Sequence, residues 1–231
     1  MRDYQRRWDD PDAVRQFSEK SVAQFFRSET HFLEAIAPDI DSVLDIGCAA
    51  GRFIELLRHY GVTAPYTGID VSLASIDLGR ANYPGTRFIG GDALDCELAE
   101  TFRLVNATGV LQHEPRFDRM IDRMLQWSSR YVLFDVKFAA IADHIADMAV
   151  AYCGRSHRLH YILLAPTKFL AALRSRPEIS RISVYGYETP LNDRTVVPHG
   201  VGPIVSAGVL LEKGGRRPAA FRTELPAFLK V

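Results

Sequence analysis

The residues of this chain best suited to chemistry are aspartates that recur at the ends of short apolar runs: Asp45, Asp70, Asp92 and, within a later run, Asp135. Directly after Asp45 comes a turn, Gly47, Cys48, Ala49, Ala50, Gly51, whose two glycines let the backbone bend sharply and approach a bound molecule closely. A helical pattern starts at once with Phe53, Ile54, Leu56 and Leu57, so unpaired N–H groups and the positive end of a helix face that molecule. A carboxylate at Asp70 can accept hydrogen bonds from both hydroxyls of a ribose. One at Asp92 can take the exocyclic amine of a purine.

A dinucleotide would ask for Gly-x-Gly-x-x-Gly here. The loop is one glycine short, and Asp45 would sit awkwardly beside a pyrophosphate. No Gly-Lys-Ser/Thr follows the loop either. Acids at three successive strand ends, with no phosphate-binding feature, suit a cationic nucleoside without phosphate, and S-adenosylmethionine is such a molecule.

Further along, His113 is the candidate general base, because imidazole can titrate near neutral pH; its plainer role is a loop histidine packed against the ligand. His157, His160 and His199 fall in late segments that would roof an acceptor pocket. The spacing of His157 and His160 fits no strong ligand signature, and Cys48, Cys96 and Cys153 are not arranged as metal pairs, so no metal is expected. Lys137 can touch an acidic substrate or be a solvated strand end.

These residues need a scaffold, and the apolar pattern supplies one. Strands are predicted at about 42–46, 66–70, 87–90, 104–107 and 131–136, with helices over about 51–60, 73–81 and 117–127. Near-continuous apolar strands at this spacing indicate a parallel sheet covered by helices on both faces. Asp10 and Pro11 open a leading helical face running through Val14, Phe17, Phe25 and Phe32 to Pro38, with a break near Ser28 as the alternative. After residue 136, Ile141, Ile145, Met148 and Tyr152 make a helical stripe, a helix follows at about 167–175, and two strands, 179–187 and 204–211, close the sheet as an antiparallel pair. The expectation is one domain over 1–231, with an N-terminal helical lid (1–40), a cofactor-binding core (41–136), substrate-side elements (137–213) and an exposed tail (214–231).

In order and spacing, VLDIGCAAGRF, GIDVS, GDALD and LVNATGVLQHEP resemble the motifs of the class I S-adenosylmethionine-dependent methyltransferases, over about residues 43–136. The resemblance implies an α/β, Rossmann-like, seven-stranded and mostly parallel sheet with an antiparallel last strand. It also implies that Asp45, Gly47, Cys48, Ala49 and Gly51 surround the methionine part of the cofactor. Asp70 would bind ribose, Val71 would pack on adenine, and Asp92 with the backbone of Ala93 would read the adenine edge. Thr108 would offer its carbonyl to the ammonium, and Tyr4 and Trp8 would close over the cofactor from the leading helix.

The expected activity is methyl transfer to an oxygen, nitrogen or carbon of a small metabolite. The Asn/Asp-Pro-Pro-Tyr/Phe motif of nucleobase-amine enzymes and the Pro-Cys nucleophile of cytosine C5 enzymes are both absent. A cofactor-binding regulator without transferase activity and a nicotinamide-dependent oxidoreductase are the competing readings. Lys and Arg balance Asp and Glu at 28 each, so no global field favours nucleic acid or an anionic membrane. With no membrane span of about 18 apolar residues and no signal-like N-terminus, a cytoplasmic location is expected.

Overall fold

The computed structural model describes residues 8–18, 24–154, 158–214 and 220–229. In chain order its elements begin with three short helices, α1 (Pro11–Ser18), α2 (Arg27–Thr30) and α3 (Leu33–Ile36). Then strand and helix alternate: β1 (Val43–Ile46), α4 (Arg52–His59), β2 (Tyr66–Asp70), α5 (Leu73–Asn82), β3 (Arg87–Gly90), β4 (Phe102–Ala107), α6 (Phe117–Trp127) and β5 (Ser128–Phe138). The remainder holds β6 (Tyr152–Cys153), β7 (Leu159–His160), β8 (Leu163–Leu164), α7 (Pro166–Arg174), β9 (Ile179–Glu188), β10 (Thr195–Val196), β11 (Val205–Lys213) and β12 (Ala220–Glu224).

The main sheet runs β3-β2-β1-β4-β5-β11-β9-β12, with β8 pairing beside β5. β1 to β5 are mutually parallel, and β11 is antiparallel to both β5 and β9. This is the expected mostly parallel α/β sheet with its reversed closing strand, extended by two strands beyond the predicted seven. Central strands are apolar on both faces because helices cover both. Val132, Leu133, Phe134, Val136 and Phe138 of β5 are all buried, and each contributes about 1.5–3 kcal/mol by burial.

The leading segment breaks near Ser28: Glu29 Oε2 accepts the Phe26 N–H at 2.7 Å, which starts α2 as a separate turn. Ser28 and Glu29 of that turn are buried, so this stretch packs into the core. Two other expectations need correction. The stripe at 141–152 is not helical; Ile145 exchanges backbone hydrogen bonds with Leu163 at 2.8 and 2.9 Å, and Tyr152 and Cys153 join a small sheet ordered β10-β6-β7. Strand pairing at distance outweighs a local helical period. The tail is not a free appendage, because β12 adds in parallel to β9 and Leu229 is buried.

No helix among the described residues is long and apolar enough to cross a membrane.

Candidate functional site

The chain leaves β1 toward β2 and β3 on one side, and returns to β4 and β5 on the other. The crevice beyond the carboxyl ends of β1 and β4 is therefore the topological switch point, where open α/β sheets bind ligands. Two loops meet there. Gly47 has φ +70°, and a Cβ on it would lie 2.4 Å from Val110 Cγ2 in the loop after β4. Only glycine lets these loops close together.

Asp70 at the end of β2 organises the first loop. Its two carboxylate oxygens accept the Ala49 and Ser72 N–H groups, each at 2.8 Å, and Ala49 is held in a left-handed conformation with φ 48°. Burial pushes the Asp70 carboxyl above its ordinary range, opposed by the Ser72 and Ala49 N–H groups. Cys48 is buried and its thiol is pushed well up by burial, so it packs as an inert thiol.

A chain of buried side chains crosses the switch point. The Tyr66 hydroxyl donates to Asp45 at 2.5 Å, and Asn106 Nδ2 donates to the other Asp45 oxygen at 2.7 Å and toward Thr108 Oγ1 at 3.2 Å. The Thr108 hydroxyl donates to Glu29 at 3.3 Å, and Arg52 donates to the same Glu29 oxygen at 2.6 Å. Sequence reading found Asp45 and Thr108 and missed Glu29, Arg52 and Asn106: Arg52 lies 23 residues from the Glu29 it pairs with, and Asn106 lies 61 residues from Asp45. Among the described residues, two buried atoms of this chain have no hydrogen-bond partner: Arg52 Nη1, a donor, and Asn106 Oδ1, an acceptor.

Burial raises the Asp45 carboxyl to about 7, with the Tyr66 and Asn106 donors and the Arg52 charge opposing it. The folded state therefore binds this proton more tightly than the unfolded chain. The contribution is present at acid pH and is lost as pH rises through about 7, at up to about 1.4 kcal/mol per pH unit. Urea unfolding of wild type and Asp45→Asn at pH 5 and pH 8 checks this. The stability of wild type relative to the variant is expected to fall between the two pH values, and a constant difference contradicts the assignment.

Asp92 is less free than its sequence position suggests. Its Oδ2 accepts from Arg116 at 2.8 Å and its Oδ1 from the Leu94 N–H at 3.0 Å. Arg116 is clasped in turn by Glu114, with Nε at 2.7 Å and Nη2 at 2.8 Å. Ala93 is buried and Val71 half-buried at the same end of the sheet.

His113 lies in the loop after β4. Its Nδ1 is 2.7 Å from the His160 carbonyl oxygen, a contact that requires a proton on Nδ1. The lone pair is thereby placed on Nε2, 3.2 Å from Gln112 Nε2. The Trp8 ring lies 5.7 Å from the His113 ring. Asp9 beside it accepts from the Ser72 hydroxyl at 2.9 Å, which fastens the N-terminal segment to the cofactor side. Tyr4 and His157 lie outside the described residues. His160 is spent on the Ala146 carbonyl at 2.9 Å, and His199 is exposed. No group of three metal-ligating residues occurs among the described residues.

Lys137 is not a solvated strand end. Its side chain is only 12% exposed, with Nζ 3.8 Å from Asp135 Oδ2 and donating to Ser206 Oγ at 2.7 Å. Asp135 Oδ1 accepts the Gly109 N–H at 2.5 Å.

Comparison with known proteins places this geometry. Residues 43–130 match the family described as a methyltransferase domain. The trans-aconitate 2-methyltransferase of Rhizobium rhizogenes is 33% identical over 87 residues, which are 37% of this chain and 34% of that protein. The match thus spans about a third of that curated relative's length. Two solved structures share the fold over nearly the whole chain. The N-methyltransferase NodS from Bradyrhizobium japonicum, in complex with S-adenosyl-L-homocysteine, aligns with a TM-score of 0.58 at 16% identity, covering 92% of this chain and 97% of that one. Magnesium protoporphyrin IX methyltransferase from Synechocystis aligns with a TM-score of 0.55 at 14% identity, covering 93% and 98%. The family match falls on the glycine loop, Asp70, Asp92 and β4, so residues 43–130 are similar to a methyltransferase domain, and the fold around them is shared with the two solved methyltransferases.

Proposed function

We propose that this protein binds S-adenosylmethionine at the switch point and transfers its methyl group to a small-molecule acceptor. The observation that carries the reading is the pair of unpartnered buried atoms in the polar chain, a donor on Arg52 and an acceptor on Asn106. A carboxylate answers the first and an ammonium the second, and an amino-acid zwitterion brings both. A pyrophosphate offers nothing to Asn106 Oδ1.

On this reading Arg52 and Asn106, with Asp45, Gly47, Cys48, Ala49, Gly51 and the Thr108 carbonyl, surround the methionine end. Asp70 keeps lone pairs for the ribose hydroxyls while it holds the loop, and Val71, Asp92 and Ala93 meet the adenine. When bound, the cofactor would supply a sulfonium methyl group for in-line transfer to the acceptor's lone pair, with the thioether as leaving group taking the C–S bonding electrons. The protein's part is to hold the acceptor behind that methyl and to keep water out. His113 Nε2, which accepts from the Gln112 amide, exchanges that bond for the acceptor's proton where the acceptor is neutral. Trp8 covers His113. The names of the curated relatives, trans-aconitate 2-methyltransferases, support a small metabolite as acceptor.

Thermal unfolding with S-adenosylhomocysteine or NAD tests the cofactor. At a hundredfold excess over Kd the first is expected to stabilise by about 2.7 kcal/mol, a rise of roughly 5–10 °C for a chain of this size, and NAD to do nothing. A shift with NAD alone would overturn the reading. Asp70→Ala is expected to weaken S-adenosylhomocysteine binding by about 1–3 kcal/mol in calorimetry. Unchanged affinity would remove Asp70 from the site. A labelled-methyl assay against a metabolite extract tests transfer itself.

A further inference from the structure

We propose that the acceptor carries an anionic group, a carboxylate or similar oxyanion, and that Lys137 with Ser206 receives it. The inference rests on the methyl-transfer reading and adds the chemical class of the acceptor.

The argument starts from one face of the sheet. Lys137 of β5 pairs with Ser206 of β11, which pairs in turn with Tyr187 of β9. Asp135, two residues before Lys137, shares its face. Because Asp135 holds the Gly109 N–H, this face abuts the loop after β4, beside the switch point. The helix α2 roofs it. A Cβ on Gly208, the partner of Asp135, would lie 2.7 Å from the Ser28 carbonyl oxygen, and the Arg27 guanidinium stands 5.7 Å from the centre of the Tyr187 ring. Lys137 therefore lies between the sheet below and the N-terminal segment above.

A lysine ammonium has three donors. Among the described residues, Lys137 places one on the neutral Ser206 hydroxyl, and its nearest carboxylate oxygen stands at 3.8 Å, beyond hydrogen-bond distance. Ser206 Oγ also receives the Thr189 hydroxyl at 2.7 Å. With both its lone pairs in use, the Ser206 O–H is left to donate. An ammonium and a hydroxyl with unspent donors, side by side in a largely buried place next to the methyl-transfer crevice, form a receptor for an oxyanion. A purely structural ion pair would close the Lys137–Asp135 gap and spend those donors.

The test has two arms. In the first, a metabolite extract is fractionated by anion exchange and each fraction is offered to the wild-type protein with labelled S-adenosylmethionine. Label transferred only from retained, anionic fractions is expected; transfer confined to the flow-through overturns the inference. In the second, Lys137→Gln is compared with wild type on the accepted fraction and in calorimetry with S-adenosylhomocysteine. Acceptor KM is expected to rise by about 10–100-fold, the scale of a lost charge-assisted hydrogen bond, with cofactor affinity within about twofold of wild type. Lys137→Arg is expected to restore most of the loss. An unchanged KM, or equal losses for Gln and Arg, overturns the inference. If the wild-type protein binds no S-adenosylhomocysteine, or binds it and labels nothing in any fraction, the methyl-transfer reading fails and this inference falls with it.

Discussion

Replacing His113 by alanine is expected to lower turnover by about 10²–10⁴-fold, the usual weight of a positioned general base, while S-adenosylhomocysteine affinity stays nearly constant. The geometry behind this is the tie from Nδ1–H to the His160 carbonyl at 2.7 Å. That tie fixes the tautomer and the ring plane, and it leaves the lone pair on Nε2. Trp8 packs on the ring from the N-terminal side, so the imidazole is braced from two separate segments. Single-turnover rates and calorimetric affinities measured on the same variant decide the matter. A variant that turns over like wild type removes His113 from the chemistry. One that loses turnover and cofactor affinity in equal measure makes it a packing residue.

The second large effect concerns stability. Glu29→Ala is expected to cost about 3–5 kcal/mol, because it strands the buried Arg52 charge in the core. For a chain of this size that lowers Tm by roughly 6–20 °C. The same carboxylate caps the Phe26 N–H and accepts from Thr108, so its loss also unfastens α2. Arg52 is stacked 4.8 Å from the Phe25 ring centre and cannot move out to water without dragging that contact apart. The double variant Glu29→Leu, Arg52→Met removes both charges and keeps apolar volume, so it is expected to melt closer to wild type than Glu29→Ala. If the single variant melts like wild type, the ion pair is not what holds the N-terminal segment to the core.

Much of the core was legible because parallel strands buried on both faces announce themselves as apolar runs. Tyr66–Asp70, Arg87–Gly90 and the helix Phe117–Trp127 fall where the sequence places them. The acids at strand ends were legible for the same reason, since a charged residue closing such a run has no place in the core without a task. Partners brought in by the fold were not. Nothing local marks Glu29 as the mate of Arg52, or Arg116 as the mate of Asp92, because each pair is joined across more than twenty residues of intervening chain. Local pattern misled in the stretch from Ile141 to Tyr152, where a helical period lost to pairing with Leu163. Lys137 looked like a solvated strand end because burial under α2 depends on a segment a hundred residues earlier.

The placement of β12 has a bearing on how this chain can be shortened. β9 would otherwise be the outermost strand of the main sheet, and β12 covers its free row of N–H and C=O groups from Ala220 to Glu224. Those five residues form the last strand in chain order, so the edge stays open until every other strand of the sheet has been made. A truncation at residue 214 would keep every residue assigned to the crevice and still bare a long, partly apolar strand edge to its neighbours. Such a product should lose itself to edge-to-edge aggregation before any question of catalysis arises.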